Sequence, residues 1–250
     1  MTDHALRAIA EKAPRSIDYA WFRDSFHADH NLWGALSRGR AVLDSVPKLD
    51  QYLRSYAPMI ESQWRRVAEH LGTIEAPDTL IDYGCGQGLG GILLDDVTRG
   101  RLFDDIRTVV LVEPSTVALA RAEAIYANLA PEAQVTGVAK RFDDLRKADL
   151  VAAAATRTLH LFSNSLDVPG LDPARLIDTL LAKGHHTILV VGHHRDFTGG
   201  TSNLAKAEAA LEAHAEKGAL TITTSEAWSF KFGADDKSDG VLWLCTFEVH

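Results

Sequence analysis

Cysteine is nearly absent: Cys85 and Cys245 are the two in 250 residues. They cannot build a disulfide scaffold, and no CxxC pair or Cys/His cluster marks structural zinc. Long apolar runs are missing too. Stretches such as Ile188 to Val191 and Leu150 to Ala155 fall far short of the roughly 20 residues a bilayer-spanning helix needs. Positive charge is in deficit, with 26 Lys and Arg against 34 Asp and Glu for a net of -8. A broad basic groove for duplex nucleic acid is therefore not the expectation, although a local basic patch is compatible with the balance. The opening MTDHALRAIAEKAPRSIDYA mixes both charges and lacks the apolar run of a signal peptide, so a cytoplasmic protein that touches no membrane is expected. What remains is an ordinary globular composition, 46% hydrophobic and 24% charged. Its length suits one α/β domain with an appendage, or two small domains.

The first 75 residues differ from the rest. Apolar side chains recur there at helical spacing, as in Ile17, Trp21, Phe22 and Phe26, and again in Tyr52, Tyr56, Ile60, Trp64 and Val67. Ten basic residues balance ten acidic ones in this segment, leaving 16 basic against 24 acidic for the remainder, so the net negative charge lies after residue 75. The segment reads as a helical cap over residues 1–75, ending near Gly72, before Pro77 and Asp78 break the pattern. If nucleic acid is touched at all, Arg38, Arg40, Arg54, Arg65 and Arg66 of this cap are where it is expected.

From Thr79 strand and helix alternate. TLIDYG is a continuous apolar run closed by glycine, which suits a buried parallel strand. Leu89 to Val97 follows as a helix, and Thr108 to Glu113 as a second strand. Ser115 caps an alanine-rich helix running to Leu129, and Pro131 stops it. Gln134 to Val138, a stretch within Thr156 to Ser163, and Thr187 to His193 are three more strands. Asp172 and Pro173 open a helix ending by Gly184, and Leu204 to Lys217 is another. Two strands, LTITTSEAWSFKF and VLWLCTFEV, then close the chain around the polar loop GADDKSDG. The expected fold is α/β over residues 76–250: an open, mostly parallel sheet with an antiparallel C-terminal hairpin.

The most specific local pattern is Asp82-Tyr83-Gly84-Cys85-Gly86-Gln87-Gly88, after the first strand and before a helix. Glycines at such a turn let the backbone approach a ligand at the carboxyl end of the sheet. A phosphate-cradling P-loop would end in Gly-Lys-Ser/Thr, which is missing. A dinucleotide fingerprint can be traced through Gly86, Gly88 and Gly91, but it leaves Asp82 and Gly84 without a role. The acid-x-GxGxG run resembles motif I of the class I S-adenosylmethionine-dependent methyltransferases, whose fold is Rossmann-like. The resemblance covers about residues 79 to 250. It implies that Gly84, Gly86 and Gly88, with Cys85 as a small residue among them, pass beneath the methionine part of the cofactor, while Asp82 places its amino group. It also implies that the last strand enters the sheet antiparallel. Glu113, followed by Pro114, ends the second strand where an acid can accept both ribose hydroxyls, a feature shared with NAD-binding folds. After the third strand the resemblance implies a contact to the adenine amino group, for which Phe142 and Asp143 are the candidates; Asp143 serves equally as a helix cap. Phe162 and Asn164 are expected to line the pocket.

Methyl transfer from a sulfonium is an in-line displacement in which positioning does most of the work, and a general base is needed only when the acceptor must lose a proton. His160, His193 and His194 follow or lie in strands four and five and are candidates for that base, since histidine titrates near neutrality. Each also has a plain structural reading, as a core or loop histidine. His185 and His186 read as exposed loop, and His27, Asp29 and His30 as a solvated helix face in preference to a metal site, so no metal is expected. Tyr52 and Tyr56, one helical turn apart, are candidates for a lid over the cofactor or a flat substrate, against pure core packing. No NPPY or DPPY tetrad follows the fourth strand, where Asn164-Ser165-Leu166-Asp167 stands. The expected activity is S-adenosylmethionine-dependent methyl transfer to oxygen or nitrogen of a small molecule, with S-adenosyl-L-homocysteine as product. An RNA or protein methyltransferase, or a cofactor-binding protein without transfer activity, are the alternatives.

Overall fold

The computed structural model describes residues 3–25, 30–39, 41–150, 156–168, 170–194 and 200–250. Several helix starts have a side-chain cap. Asp3 caps α1 (His4–Ala10) by accepting from the Ala5 amide at 2.9 Å, and Asp18 caps α2 (Tyr19–Asp24) by accepting from Trp21 at 2.8 Å. A 3₁₀ stretch over His30–Gly39 leads to α3 (Val46–Val67), whose buried Leu49, Leu53, Ala57, Ile60, Trp64 and Val67 fall every three or four residues along one face.

Five strands then alternate with helices. They are β1 (Thr79–Tyr83), β2 (Thr108–Val112), β3 (Gln134–Val138), β4 (Arg157–Ser163) and β5 (Gly184–His193). Between them run α4 (Leu89–Thr98), α5 (Thr116–Leu129, capped by Ser115) and α6 (Pro173–Leu180). After α7 (Gly200–Glu216) the chain closes with β6 (Leu220–Phe232) and β7 (Ser238–Val249). The expected elements are present, with shifted ends. The sixth helix stops at Leu180, and β5 begins at Gly184, because His186 and Ile188 are buried and pair with β4 instead of looping outward.

The seven strands form one sheet in the order β3-β2-β1-β4-β5-β7-β6. The first five are parallel to their neighbours, and β7 inserts antiparallel between β5 and β6. This is the mostly parallel sheet with an antiparallel closing hairpin that the resemblance implies. Strand order reverses between β1 and β4, opening a crevice at their carboxyl ends.

Side-chain parity divides the core in two. Leu80, Leu159, Leu161, Leu189 and Val191 point to the face covered by α4, α5 and the N-terminal helices. Ile81, Tyr83, Phe162, Ile188 and Val190 point to the face covered by α6 and α7. Ile9, Ile17, Phe22, Ile60 and Trp64 of the N-terminal segment join the first of these clusters directly, so the helices before residue 75 share a core with the sheet.

Candidate functional site

The crevice is built from the end of β1. Asp82 lies on the α4/α5 face, where the Tyr126 hydroxyl donates to its Oδ2 at 2.7 Å. Its Oδ1 is buried and has no hydrogen-bond donor among the described residues. Burial pushes the Asp82 carboxyl up to about 7, helped by the nearby Glu113 charge and opposed by the Tyr126 bond. A half-satisfied buried carboxylate is costly to keep, and it suits a site that receives a cationic donor.

Beyond β1 the backbone turns sharply. The amides of Gly84 and Cys85 both donate to the Val112 carbonyl, at 2.8 and 3.1 Å, which ties the loop to the end of β2. Gly84 (φ 68°) and Gly86 (φ 53°) are left-handed. A Cβ on Gly84 would lie 2.8 Å from the Ser165 Cβ, whereas a Cβ on Gly86 would meet nothing within 4 Å, because Gly86 borders open space. The Gly86 amide donates to Glu113 Oε2 at 3.2 Å and the Ser115 amide to Oε1 at 2.9 Å. Glu113 thus fixes both the glycine loop and the start of α5, and each of its oxygens keeps a second lone pair for a ligand. Burial raises its carboxyl as well.

These groups line one cavity of about 430 Å³, within the usual range for a small-molecule site. Asp82, Gly84, Cys85, Gly86, Glu113 and Pro114 form its floor, and Phe142, Asp143 and Asn164 its walls. Tyr52 and Ile60 of α3, with Val42 and Leu43, roof it. Four lining carboxylates (Asp82, Glu113, Asp143 and Asp167) face two cations, Lys140 and Arg141, and Lys140 is engaged by Asp149 at 2.7 Å. The cavity therefore favours a ligand carrying positive charge. Burial holds the Cys85 thiol well above its ordinary range, so it is not a thiolate nucleophile.

Several sequence candidates lie elsewhere. His160 alternates with Leu159 and Leu161 and therefore falls on the opposite sheet face, buried between Tyr83 and His186. Phe162 shares that face and stacks on Tyr83 with ring centroids 4.4 Å apart, so it does not line the pocket. Gly88 caps α4 and packs on α5, where a Cβ would come 3.3 Å from the Ala122 backbone. Tyr56 is outside the lining set and packs beside Tyr52, centroids 5.1 Å apart. His194 is exposed, with its amide bonded to the Asp239 carbonyl. His186, expected in an exposed loop, is buried in β5. His193 lines a separate cavity of about 20 Å³ that shares Asn164, Ser165 and Asp167 with the main one. His27, Asp29 and the side chain of His30 lie outside the described residues, as do the side chains of Arg38 and Arg40. Among the described residues no group of three or more His, Cys, Asp or Glu could hold a metal ion, and no helix is long and apolar enough to cross a membrane. Arg65 and Arg66 pair with Glu61 and Asp236.

Sequence reasoning missed part of the lining. Ser165, in the turn after β4, is one such residue, whereas Ser163 at the end of β4 is a candidate the sequence offers beside Asn164; it lines the cavity and accepts the Trp64 indole N–H on its Oγ at 3.0 Å. Gln87, inside the glycine loop, is buried and turns its amide toward the cap, donating to the Leu49 carbonyl at 2.8 Å. A glutamine set between two glycines of the loop is the one signal in the sequence that points to it.

No protein-family model and no curated protein sequence matches the chain. Among solved structures it is similar to the plantazolicin methyltransferase BpumL in complex with a pentazolic desmethylPZN analog and SAH, with 11% identity, all of both chains covered and a TM-score of 0.47. It is also similar to the geranyl diphosphate C-methyltransferase of Streptomyces coelicolor A3(2), with 16% identity over 84% of this chain and 88% of the other, TM-score 0.43. The N-methyltransferase NodS of Bradyrhizobium japonicum WM9 shares 16% identity over 74% of this chain and 93% of its own, TM-score 0.40. Identities and TM-scores this low decide nothing about activity. The fold rests on the strand order and the function on the site.

Proposed function

We propose that the chain is an S-adenosylmethionine-dependent methyltransferase acting on oxygen or nitrogen of a small molecule in the cytoplasm, with residues 1–75 serving as a cap over a catalytic domain of residues 76–250. The observation that carries the reading is the unsatisfied Asp82 Oδ1 beside a left-handed glycine loop and Glu113, all lining one cavity. A buried carboxylate oxygen without a donor fits the ammonium of the cofactor's methionine part, and the open face of Gly86 leaves room for the chain above it. Glu113 has lone pairs left for two ribose hydroxyls, and Phe142 and Asp143, which line the same cavity, are the proposed contacts to the adenine. When bound, the cofactor supplies an electrophilic methyl group on a sulfonium.

The chain's own part is to orient and to exclude water. Tyr52, Ile60 and Leu43 cover the cavity, and Asn164 stands at the carboxyl end of β4 with its Nδ2 held by Gln63 Oε1 at 2.8 Å. Residues of the proposed cap roof the cavity, and that cover supports a small molecule over an RNA or protein chain as acceptor. Of the three histidines first considered, His193 lines the small cavity that shares Asn164, Ser165 and Asp167 with the main one and is the proposed base where the acceptor carries a proton. The test is transfer of a radiolabelled methyl group in cell extract. Label in the metabolite fraction supports the reading, and label in RNA or protein replaces the acceptor class. Retained cofactor binding without transfer to any fraction leaves a binding protein.

A further inference from the structure

We infer that Arg121 is a positioning residue that latches the cap onto the glycine loop, so that the roof over the cavity and the floor beneath it move together. The inference rests on the cofactor reading above. Arg121 lies in α5, is 0% exposed, and makes contacts to three parts of the chain. Its Nε and Nη2 donate to Asp3 at 2.9 and 3.1 Å, holding the residue that caps α1. Its Nη1 lies 2.7 Å from Asp50 of α3 and donates to Gln87 Oε1 at 2.9 Å. Gln87 completes the circuit by donating its Nε2 to the Leu49 carbonyl, one residue before Asp50. One guanidinium therefore joins the N-terminal segment, the cap helix and the loop that forms the cavity floor. Its planar fork of five donors is the group that can hold partners in three directions, which an ammonium cannot do.

A second observation concerns the roof itself. Ser115, two residues past Glu113, donates its hydroxyl to the Leu43 carbonyl. Leu36, Leu43, Leu49 and Ala118 form a small cluster of their own, separate from the two large cores. Most of α3 is anchored in the main core through Leu53, Ala57, Ile60 and Trp64, whereas the leading part of the roof, from Leu43 to Asp50, is held by this small cluster and by polar bonds from Gln87, Ser115 and Arg121. Segments with few buried apolar contacts open at low cost. A buried ion cluster is weak as general stabilisation, but Asp50 and Gln87 share the Arg121 Nη1, so losing Asp50 frees that nitrogen to shift while Arg121 stays paired with Asp3. The latch is thus cooperative: losing Asp50 from Arg121 also loosens Gln87 and the loop beneath the ligand.

The experiment uses the full chain, with S-adenosyl-L-homocysteine as probe and Asp50→Asn and Arg121→Lys as variants. Stopped-flow displacement reads ligand association and dissociation, and hydrogen exchange reads the amides of residues 43–52 and 84–91. Both variants are expected to release the ligand at least about tenfold faster, a loss of roughly 1.4 kcal/mol, with exchange rising in the two segments together while β1 and β4 stay protected. Variants that only melt earlier, with wild-type ligand rates and wild-type exchange in both segments, overturn the inference. If wild-type protein binds no S-adenosyl-L-homocysteine, the cofactor reading fails, and the exchange data still decide the latch. Joint opening in the variants then supports it, and opening of one segment alone overturns it. Arg121→Lys decides the matter if Asp50→Asn does not fold.

Discussion

The buried chain Tyr83–His160–His186 makes a quantitative prediction about acid stability. His186 Nε2 lies 2.8 Å from the Ala182 carbonyl, which can only accept, so that nitrogen carries the proton. His186 Nδ1 is then bare and accepts from His160 Nε2 at 2.9 Å, leaving His160 Nδ1 to accept from the Tyr83 hydroxyl at 3.0 Å. One arrangement of tautomers satisfies all three links, and both rings are neutral in it. A proton on His186 Nδ1 would face the N–H of His160. A proton on His160 Nδ1 would displace the Tyr83 hydroxyl hydrogen into an apolar core. Burial accordingly lowers both histidines, His160 well below the ordinary value, with the neighbouring imidazole adding to it. In the unfolded chain both take up protons near pH 6.5. The folded state refuses protons that the unfolded state binds, so stability is full above that pH and falls as pH drops through it. A histidine held neutral through this range costs roughly 1 kcal/mol between pH 6.5 and 5.5, and two such histidines cost about 2 kcal/mol together. Urea unfolding at several pH values measures this in wild type and in the triple variant Tyr83→Phe, His160→Leu, His186→Leu, in which the chain is replaced by apolar groups. The wild-type curve should fall away from the variant's by about 2 kcal/mol over that interval. Curves that stay parallel would refute the neutral, buried relay.

Other predictions concern the cavity. Asp82 has its folded carboxyl raised to about 7, so below that pH a proton must leave before the oxygen accepts an ammonium. Affinity for S-adenosyl-L-homocysteine should then rise with pH up to neutrality, by close to tenfold per unit below pH 7, and Asp82→Asn should both weaken binding and flatten the profile in calorimetry. Gly86→Arg should abolish cofactor binding by filling the open face above the loop with an unsuitable φ; wild-type affinity in this variant would remove Gly86 from the site. Glu113→Ala leaves the Gly86 and Ser115 amides without their acceptor, and should cost about 1–3 kcal/mol of stability as well as ligand affinity. His193→Ala should lower turnover at saturating cofactor with unchanged cofactor affinity, whereas the exposed His194→Ala should change neither.

Much of the fold and of the site is legible in the sequence itself. The strand at Thr79, the turn of glycines and the acid ending the second strand are local features, set by residues adjacent in sequence. The closing hairpin announced itself through its polar loop. What escaped was decided by register and by distance. His160 and Asp82 look equally able to reach a crevice until the pairing of Asp82 with Leu161 fixes which face each takes. His186 looked like loop because its run of two histidines is polar, and it is buried because His160 and Ala182 satisfy both of its nitrogens. Arg121 sits in an alanine-rich helix with nothing nearby to mark it, and its partner Asp3 is 118 residues away in the chain.

In the proposed function the cavity above Asp82 and the glycine loop holds a sulfonium cofactor and not a dinucleotide. Isothermal calorimetry of the full chain with S-adenosylmethionine and, separately, with NAD tests it most directly. Micromolar binding of S-adenosylmethionine that Asp82→Asn weakens, with no heat from NAD, is the predicted result. Binding of NAD without S-adenosylmethionine would contradict it.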